Sequence, residues 1–323
     1  MADAPGPVFD SGGSVVTVGT FDGLHRGHAV LIERLLAAAR AERCRSVVAT
    51  FEPHPLRVVR PEAAPALLTT REEKLELLGQ MGVDAVALIA FTKGLAALTP
   101  EEFARILLVE RLGARRVVIG YDHGFGRDRT GDAATLRAVG EREGFSVDVV
   151  PPVMHDREPV SSSRIRRALQ NGDMASAATG LGRPYGMRGR VVAGDGRGRT
   201  LGFPTANLAL NDPHKLLPLD GIYAVRADVD GELRDGVLHL GPRPTYPGAA
   251  PTVELHLLDF DGDLYGRDVA LQFCTRLRGI ESFPDSASLS AAIESDCVAA
   301  RAALRDGSGA CGHDPLRLAF KAV

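Results

Sequence analysis

The chain has 323 residues, enough for two domains with separate cores, and a formal net charge of −3 from 38 Lys plus Arg and 41 Asp plus Glu. Charges of both signs are intermixed, so there is no basis for bulk attraction to nucleic acid or to a membrane surface. The opening MADAPGPVFDSGGS has neither a basic start nor an apolar run, no stretch approaches a membrane span, and Cys44, Cys274, Cys297 and Cys311 show no CxxC spacing; the expectation is a reduced, cytoplasmic protein with neither a disulfide framework nor a zinc site.

Along the first half, short continuous apolar runs at 15–18, 46–51, 85–91, 116–121 and 146–150 alternate with helical patterns at 29–43, 71–80, 100–112 and 133–143. Apolar strands of this kind are buried on both faces, which predicts a doubly wound α/β domain with a parallel sheet. After Gly180 the texture changes. A glycine- and arginine-rich stretch, 186–202, precedes period-2 segments at 222–229, 237–240, 252–258 and 269–274, then one helix at 286–304. Short strands with Gly, Pro and Asp turns predict an antiparallel sheet or small barrel. The boundary is expected near 181–184, with a loosely ordered tail from Asp306.

The first strand runs into GTFDGLHRGH (19–28), and an amphipathic helix follows with Ile32, Leu35, Leu36 and Ala39 on one face. A strand-to-helix turn of an open α/β sheet is where phosphates are held, since the helix N-terminus offers unpaired N–H groups and a partial positive charge. Gly19, Gly23 and Gly27 let backbone approach a ligand, and His25 and His28 can donate to phosphate oxygens. A lone histidine is usually a surface residue; the combination of strand, glycine turn, HxGH and helix carries the signal. In SSSRIRRAL (161–169) the serines can cap a helix, and Arg164 sits in a first turn that disfavours a cation unless a ligand or a specific contact holds it.

In GRTLGFPTANL (198–208), Thr205 and Asn207 are two residues apart, so an extended backbone points both hard oxygen donors to one side, as suits Mg²⁺. On composition alone an ordinary turn is the better explanation, since threonine and asparagine are common turn residues. In TVELHLLDFDGDLYG (252–266), Val253, Leu255 and Leu257 share one face, leaving Glu254 and His256 on the other. Residue pattern alone reads Glu254 as a solvent-facing carboxylate as readily as a functional one.

HxGH in this setting resembles the signature of the nucleotidyltransferase superfamily, and SSSRIRRAL resembles that superfamily's second signature. With TFEPHP (50–55), GYDHGFGRDRTGD (120–132), LGRPY (181–185), LGPRPT (240–245), GRTLGFPTANL and ELHLLDFDGDLYG, the chain from about 15 to about 304 resembles the bifunctional prokaryotic riboflavin kinase/FMN adenylyltransferase family, also called FAD synthetases. The resemblance implies a Rossmann-like α/β doubly wound nucleotidyltransferase domain over 15–182. A small antiparallel β-barrel kinase domain with a C-terminal helix would follow over 183–305, with a flexible 1–14 and a tail over 306–323.

It further implies that His25, His28 and Arg164 contact the ATP phosphates during adenylyl transfer. Gly19, Phe21, Asp22, Gly27, His54, Asp122, Ser161, Ser162, Ser163, Gly198, Gly202 and Pro204 would shape the nucleotide and flavin sites. Thr205 and Asn207 would hold Mg²⁺–ATP, and Glu254 would be the kinase's general base. The partners implied are riboflavin, FMN and ATP, with no nucleic acid, no membrane and no particular oligomeric state. Two positions depart from the family pattern: His239 stands where asparagine is usual, and Ser163 where threonine is usual.

The two reactions ask for different groups. Riboflavin's 5′-hydroxyl must lose a proton, so a carboxylate base is useful. FMN's phosphate, with a second pKa of roughly 6, is already largely dianionic and needs no base; donors that hold ATP in line suffice. A single-activity adenylyltransferase and a flavin-sensing binding protein are the rival readings, and the completeness of both motif sets argues against each.

Overall fold

β1 (Ser14–Val18) is buried at every position, as a strand covered on both faces must be. In the computed structural model, which describes residues 12–194, 197–242, 252–305 and 310–312, contacts divide the chain into two compact units. These are Met1–Ala66 with Arg71–Val160, and Leu67–Thr70 with Ser161–Val323. The expected flexible start and C-terminal tail lie mostly outside the described residues, as do positions 243–245 of LGPRPT.

In the first unit β1 is the central strand of a parallel sheet with β2 (Arg45–Glu52), β3 (Ala85–Ala90), β4 (Ala114–Gly120) and β5 (Ser146–Val150), in the order β3-β2-β1-β4-β5. Its helices are α1 (Arg26–Glu42), α2 (Pro55–Val59), α3 (Arg71–Gln80), α4 (Lys93–Ala96), α5 (Pro100–Phe103) and α6 (Ala133–Glu143). A short ribbon of β6 (Met154–His155) and β7 (Glu158–Pro159) follows the sheet. The helix expected over 100–112 starts on a Thr99–Glu102 capping box and passes into π-helical backbone over Ala104–Arg111. Val16, Val47, Val117 and Ile119 of the sheet pack with Leu107, Leu108 and Leu136 of the helices. On α1, Leu31, Ile32, Leu35 and Ala39 are buried, while Leu36 lies half-buried at the margin.

The strand order places a topological switch between β1 and β4. Connections leave these neighbours in opposite directions, opening a crevice beyond their carboxyl ends. GTFDGLH leaves β1 and GYDHGFG leaves β4, so both motifs border that crevice.

The second unit opens with α7 (Ser162–Gln170) and α8 (Met174–Leu181), which pack on each other. The contact boundary after Val160 thus comes earlier than the change in composition near 181–184. A closed barrel follows, built from β8 (Tyr185–Val192), β9 (Ala206–Leu210), β10 (Gly221–Val229), β11 (Glu232–Gly241), β12 (Thr252–Leu257) and β13 (Asp268–Arg278). The short helix α9 (Arg197–Thr200) lies between β8 and β9, and α10 (Ser286–Arg305) comes last. All barrel pairings are antiparallel, in the order β10-β11-β12-β9-β8-β13.

Much of the glycine- and arginine-rich stretch is therefore strand. β8 turns Tyr185, Met187, Gly189 and Val191 inward, and a Cβ at Gly189 would stand 2.9 Å from the Ala209 carbonyl of β9. Helix α10 is fixed by a two-pronged ion pair, Arg278 Nε and Nη2 to the Asp296 carboxylate at 2.8 and 2.7 Å. Its Cys297, Ala300 and Leu304 pack with Ile222, Ala224 and Val237. One expectation is corrected: Cys274 and Cys311 form a disulfide, while Cys44 and Cys297 are free thiols. The partners lie 37 residues apart in sequence, and folding, not local spacing, brings them together.

Candidate active sites

The turn after β1 is held in an uncommon backbone shape. Gly19 N–H donates to the Ala49 carbonyl at 3.0 Å, and then Phe21 (φ 49°), Gly23 (φ 84°) and Leu24 (φ 40°) take left-handed conformations. For Phe21 and Leu24 that carries a steric cost, which the surroundings must offset. Phe21 is 1 % exposed, and its ring lies so close that a Cβ on Gly19 would sit 3.3 Å away. Asp22, 2 % exposed, feels the ammonium of Lys74 on α3. Burial lowers the Lys74 pKa, and the carboxylates of Asp22 and Glu52 partly restore it. Nothing in the sequence marks Lys74, because its burial beside Asp22 arises only in the folded chain.

Helix α1 begins earlier than its apolar periodicity indicates, at Arg26, with His25 as its N-cap. The His28 N–H donates to His25 Nδ1 at 3.4 Å, leaving Nε2 of a neutral His25 to carry the proton. The two imidazoles stack at 3.7 Å with 16° between planes, and Phe21 braces His28 from 5.2 Å. A Cβ at Gly27 would stand 3.1 Å from the His25 ring, so glycine there lets the cap fold back over the helix. HxGH thus forms the N-terminus of a 17-residue helix, the end whose dipole and unpaired N–H groups favour an anion.

Two further motifs reach the same carboxyl edge of the sheet. Near the end of β2, Thr50 Oγ1 donates to the Thr20 carbonyl at 3.2 Å, and after it His54 caps α2 by accepting from Leu56 N–H at 3.2 Å. After β4, Tyr121, Asp122, His123, Arg129, Asp132 and Arg137 line an open cavity of about 610 Å³, a size suited to a small ligand. His123 stacks on Phe125 at 5.8 Å. Burial, aided by Arg129 and opposed by Asp122, pushes its pKa down to about 4, so the ring is neutral near pH 7. Its Nε2 is buried without a hydrogen-bond partner among the described residues. Asp132 caps α6, and the backbone and hydroxyl of Thr135 hold its carboxyl below the usual range.

In the second unit Ser161 caps α7, its Oγ accepting from Arg164 N–H at 3.4 Å. Ser162 and Ser163 are the first helical residues, and Arg164 is half-buried in the first turn.

The barrel gathers the other set. Glu254 on β12 is register partner to Asn207 on β9 and, on its other side, to His239 on β11. Thr252 Oγ1 donates to Glu254 Oε1 at 3.1 Å. Gly202 takes φ 85°, and Phe203 N–H closes the turn onto the Gly198 carbonyl at 2.8 Å. Two glycines lie against these side chains: a Cβ on Gly194 would overlap the Asn207 amide, nearest at its Nδ2, and one on Gly198 would sit 3.0 Å from Thr205 Oγ1. A hydroxyl and an amide oxygen beside a glycine-walled space fit a hard cation that retains water and phosphate ligands.

A family model described as FAD synthetase matches residues 9–164, and one described as riboflavin kinase matches 181–304. Three curated proteins called bifunctional riboflavin kinase/FMN adenylyltransferase are similar to the chain along most of its length. That of Pseudomonas fluorescens is 40 % identical, covering 90 % of this chain and 93 % of its own. That of Escherichia coli (strain K12) is 39 % identical over 90 % and 92 %, and that of Bacillus subtilis (strain 168) is 34 % identical over 88 % and 90 %. A crystal structure described as a macrolide-efflux protein from Streptococcus pneumoniae superposes with a TM-score of 0.82 at 31 % identity, covering 91 % of this chain and 96 % of that one. Among the described residues no helix is long and apolar enough to cross a membrane.

Proposed function

The chain belongs to the family of bifunctional riboflavin kinase/FMN adenylyltransferases, and on that premise we propose how its residues divide two ATP-dependent transfers. The protein is an enzyme of flavin cofactor synthesis. Riboflavin phosphorylation is assigned to the barrel and its last helix, 183–305, and FMN adenylylation with release of pyrophosphate to 15–182.

In the kinase, Glu254 takes the proton of the riboflavin 5′-hydroxyl as that oxygen attacks the γ-phosphate of ATP and ADP leaves. Thr205 and Asn207 are the residues that would hold Mg²⁺, with Gly198, Gly202 and Pro204 shaping the loop around the nucleotide. When bound, the metal supplies charge neutralisation on the phosphates. The observation that carries this reading is the direct pairing of Glu254 with Asn207 in a unit that matches riboflavin kinase.

In the adenylyltransferase, the FMN phosphate attacks the α-phosphate of ATP and pyrophosphate leaves. His25 and His28, at the start of α1, stabilise charge on the phosphates, and the SSSRIR motif assigns Arg164 to the same step with Ser161, Ser162 and Ser163. Gly19, Phe21, Asp22, Gly27, His54 and Asp122 form the nucleotide and flavin walls. The setting is the cytoplasm, with riboflavin, FMN and ATP as small-molecule partners. Incubation with riboflavin and Mg-ATP, followed by chromatography, should yield FMN and then FAD; absence of both would refute the assignment.

A further inference from the structure

We propose that His256 is a positioning residue for phosphoryl transfer, gripping the two residues before Thr205 and so fixing where Thr205 presents its hydroxyl beside Asn207. The inference rests on the assignment of those two residues to Mg²⁺–ATP made above.

His256 lies two residues beyond Glu254 on β12, so both side chains leave the same face of one barrel strand. Its Nδ1 stands 2.8 Å from the Pro204 carbonyl oxygen. A carbonyl can only accept, so Nδ1 carries the proton in this contact. The same ring meets Phe203 nearly edge-on, with centroids 5.7 Å apart and planes at 81°. Phe203 and Pro204 directly precede Thr205. The loop turns at Gly202, whose φ of 85° suits glycine, and Phe203 N–H closes that turn onto the Gly198 carbonyl at 2.8 Å. His256 adds a tie on the far side of that point, from a strand anchored in the ladder between β11 and β9. Strand β12 therefore carries the base, holds Asn207 through its ladder with β9, and reaches Thr205 through His256, so their separation is built in.

The test uses the intact chain with His256→Leu, which removes donor and ring, and His256→Asn, which retains an N–H donor. Two readouts are taken: the KM and kcat of riboflavin phosphorylation, and the hydrogen–deuterium exchange of residues 198–210 with and without Mg-ADP. His256→Leu should raise the KM for Mg-ATP roughly fivefold to tenfold, the scale of one neutral hydrogen bond plus a ring contact. The KM for riboflavin and kcat should stay near wild type, Mg-ADP protection of 198–210 should weaken, and His256→Asn should recover most of both. Wild-type kinetics and exchange in His256→Leu, or an equal rise in both KM values with a lowered melting temperature, would overturn the proposal. A Thr205→Val variant separates the two levels. If it keeps full Mg-ADP protection, the metal assignment itself fails; if it loses protection while His256→Leu does not, only the role of His256 falls.

Discussion

Glu254 and Asn207 face each other across one rung between β12 and β9. Opposed side chains in an antiparallel pair have Cβ atoms about 4.5–5.5 Å apart. A carboxylate and an amide oxygen at that spacing can serve two ends of one phosphoryl transfer, the entering hydroxyl and the metal-bound phosphate. Glu254→Gln keeps the size and removes the proton acceptor. FMN formation should fall by roughly 10²–10⁴-fold with little change in the binding of riboflavin or ATP, while adenylylation of supplied FMN continues. Near wild-type phosphorylation by this variant would show that Glu254 is only a strand residue.

Gly194→Ala tests the other half of the pair. The added methyl would occupy the space of the Asn207 amide, the far end of a flexible side chain, so Asn207 should swing away while the barrel stays intact. Misplacing one ligand should reduce phosphorylation by roughly tenfold to a hundredfold at an unchanged melting temperature. Full activity would mean that Asn207 needs no fixed position.

His28→Ala removes a donor at the N-terminus of α1 and the stacking partner of His25. Adenylylation should drop by roughly 10²–10³-fold, the effect of deleting one oxyanion donor, with phosphorylation intact. Equal loss of both activities would indicate misfolding and remove the support for His28.

Much of this was readable before folding, for identifiable reasons. β1, β2 and β10 to β13 announce themselves by continuous apolar runs or by period-2 alternation. β8 does not, since GMRGRVV alternates glycine and arginine, and it becomes a strand only when β9 and β13 pair with it. Glycine also hid the start of α1: HRGH reads as a turn, yet His25 caps a helix that already includes His28. His25, His28 and the carboxylate Glu254 were legible as residue types in motifs. The registry that sets Glu254 between Asn207 and His239, and the burial of Lys74 near Asp22, exist only in the folded chain.

The disulfide gives a prediction independent of catalysis. Denatured without reductant, the protein should titrate with two thiols, those of Cys44 and Cys297, and with four after reduction. A non-reduced digest should contain a peptide joining Cys274 to Cys311. Four thiols from protein purified without reductant would show the pair reduced and overturn the disulfide.

The last prediction concerns His123 and acid stability. Folding pushes its pKa from 6.5 down to about 4, chiefly by burial, so between these values the unfolded chain binds a proton that the folded chain refuses. Stability therefore rises with pH across this window. The contribution is complete above about pH 6.5 and is lost progressively as pH falls toward 4. One group supplies at most about 1.4 kcal/mol per pH unit, and a ring with partial solvent access supplies less. His123→Phe keeps a ring to stack on Phe125 and has nothing to titrate. Urea unfolding at several pH values should show a shallower loss of stability for the variant between pH 6.5 and 5, where few carboxylates titrate. Parallel curves for variant and wild type would show that the imidazole can be protonated in place, and that the wall beside Arg129 and Arg137 tolerates a further positive charge.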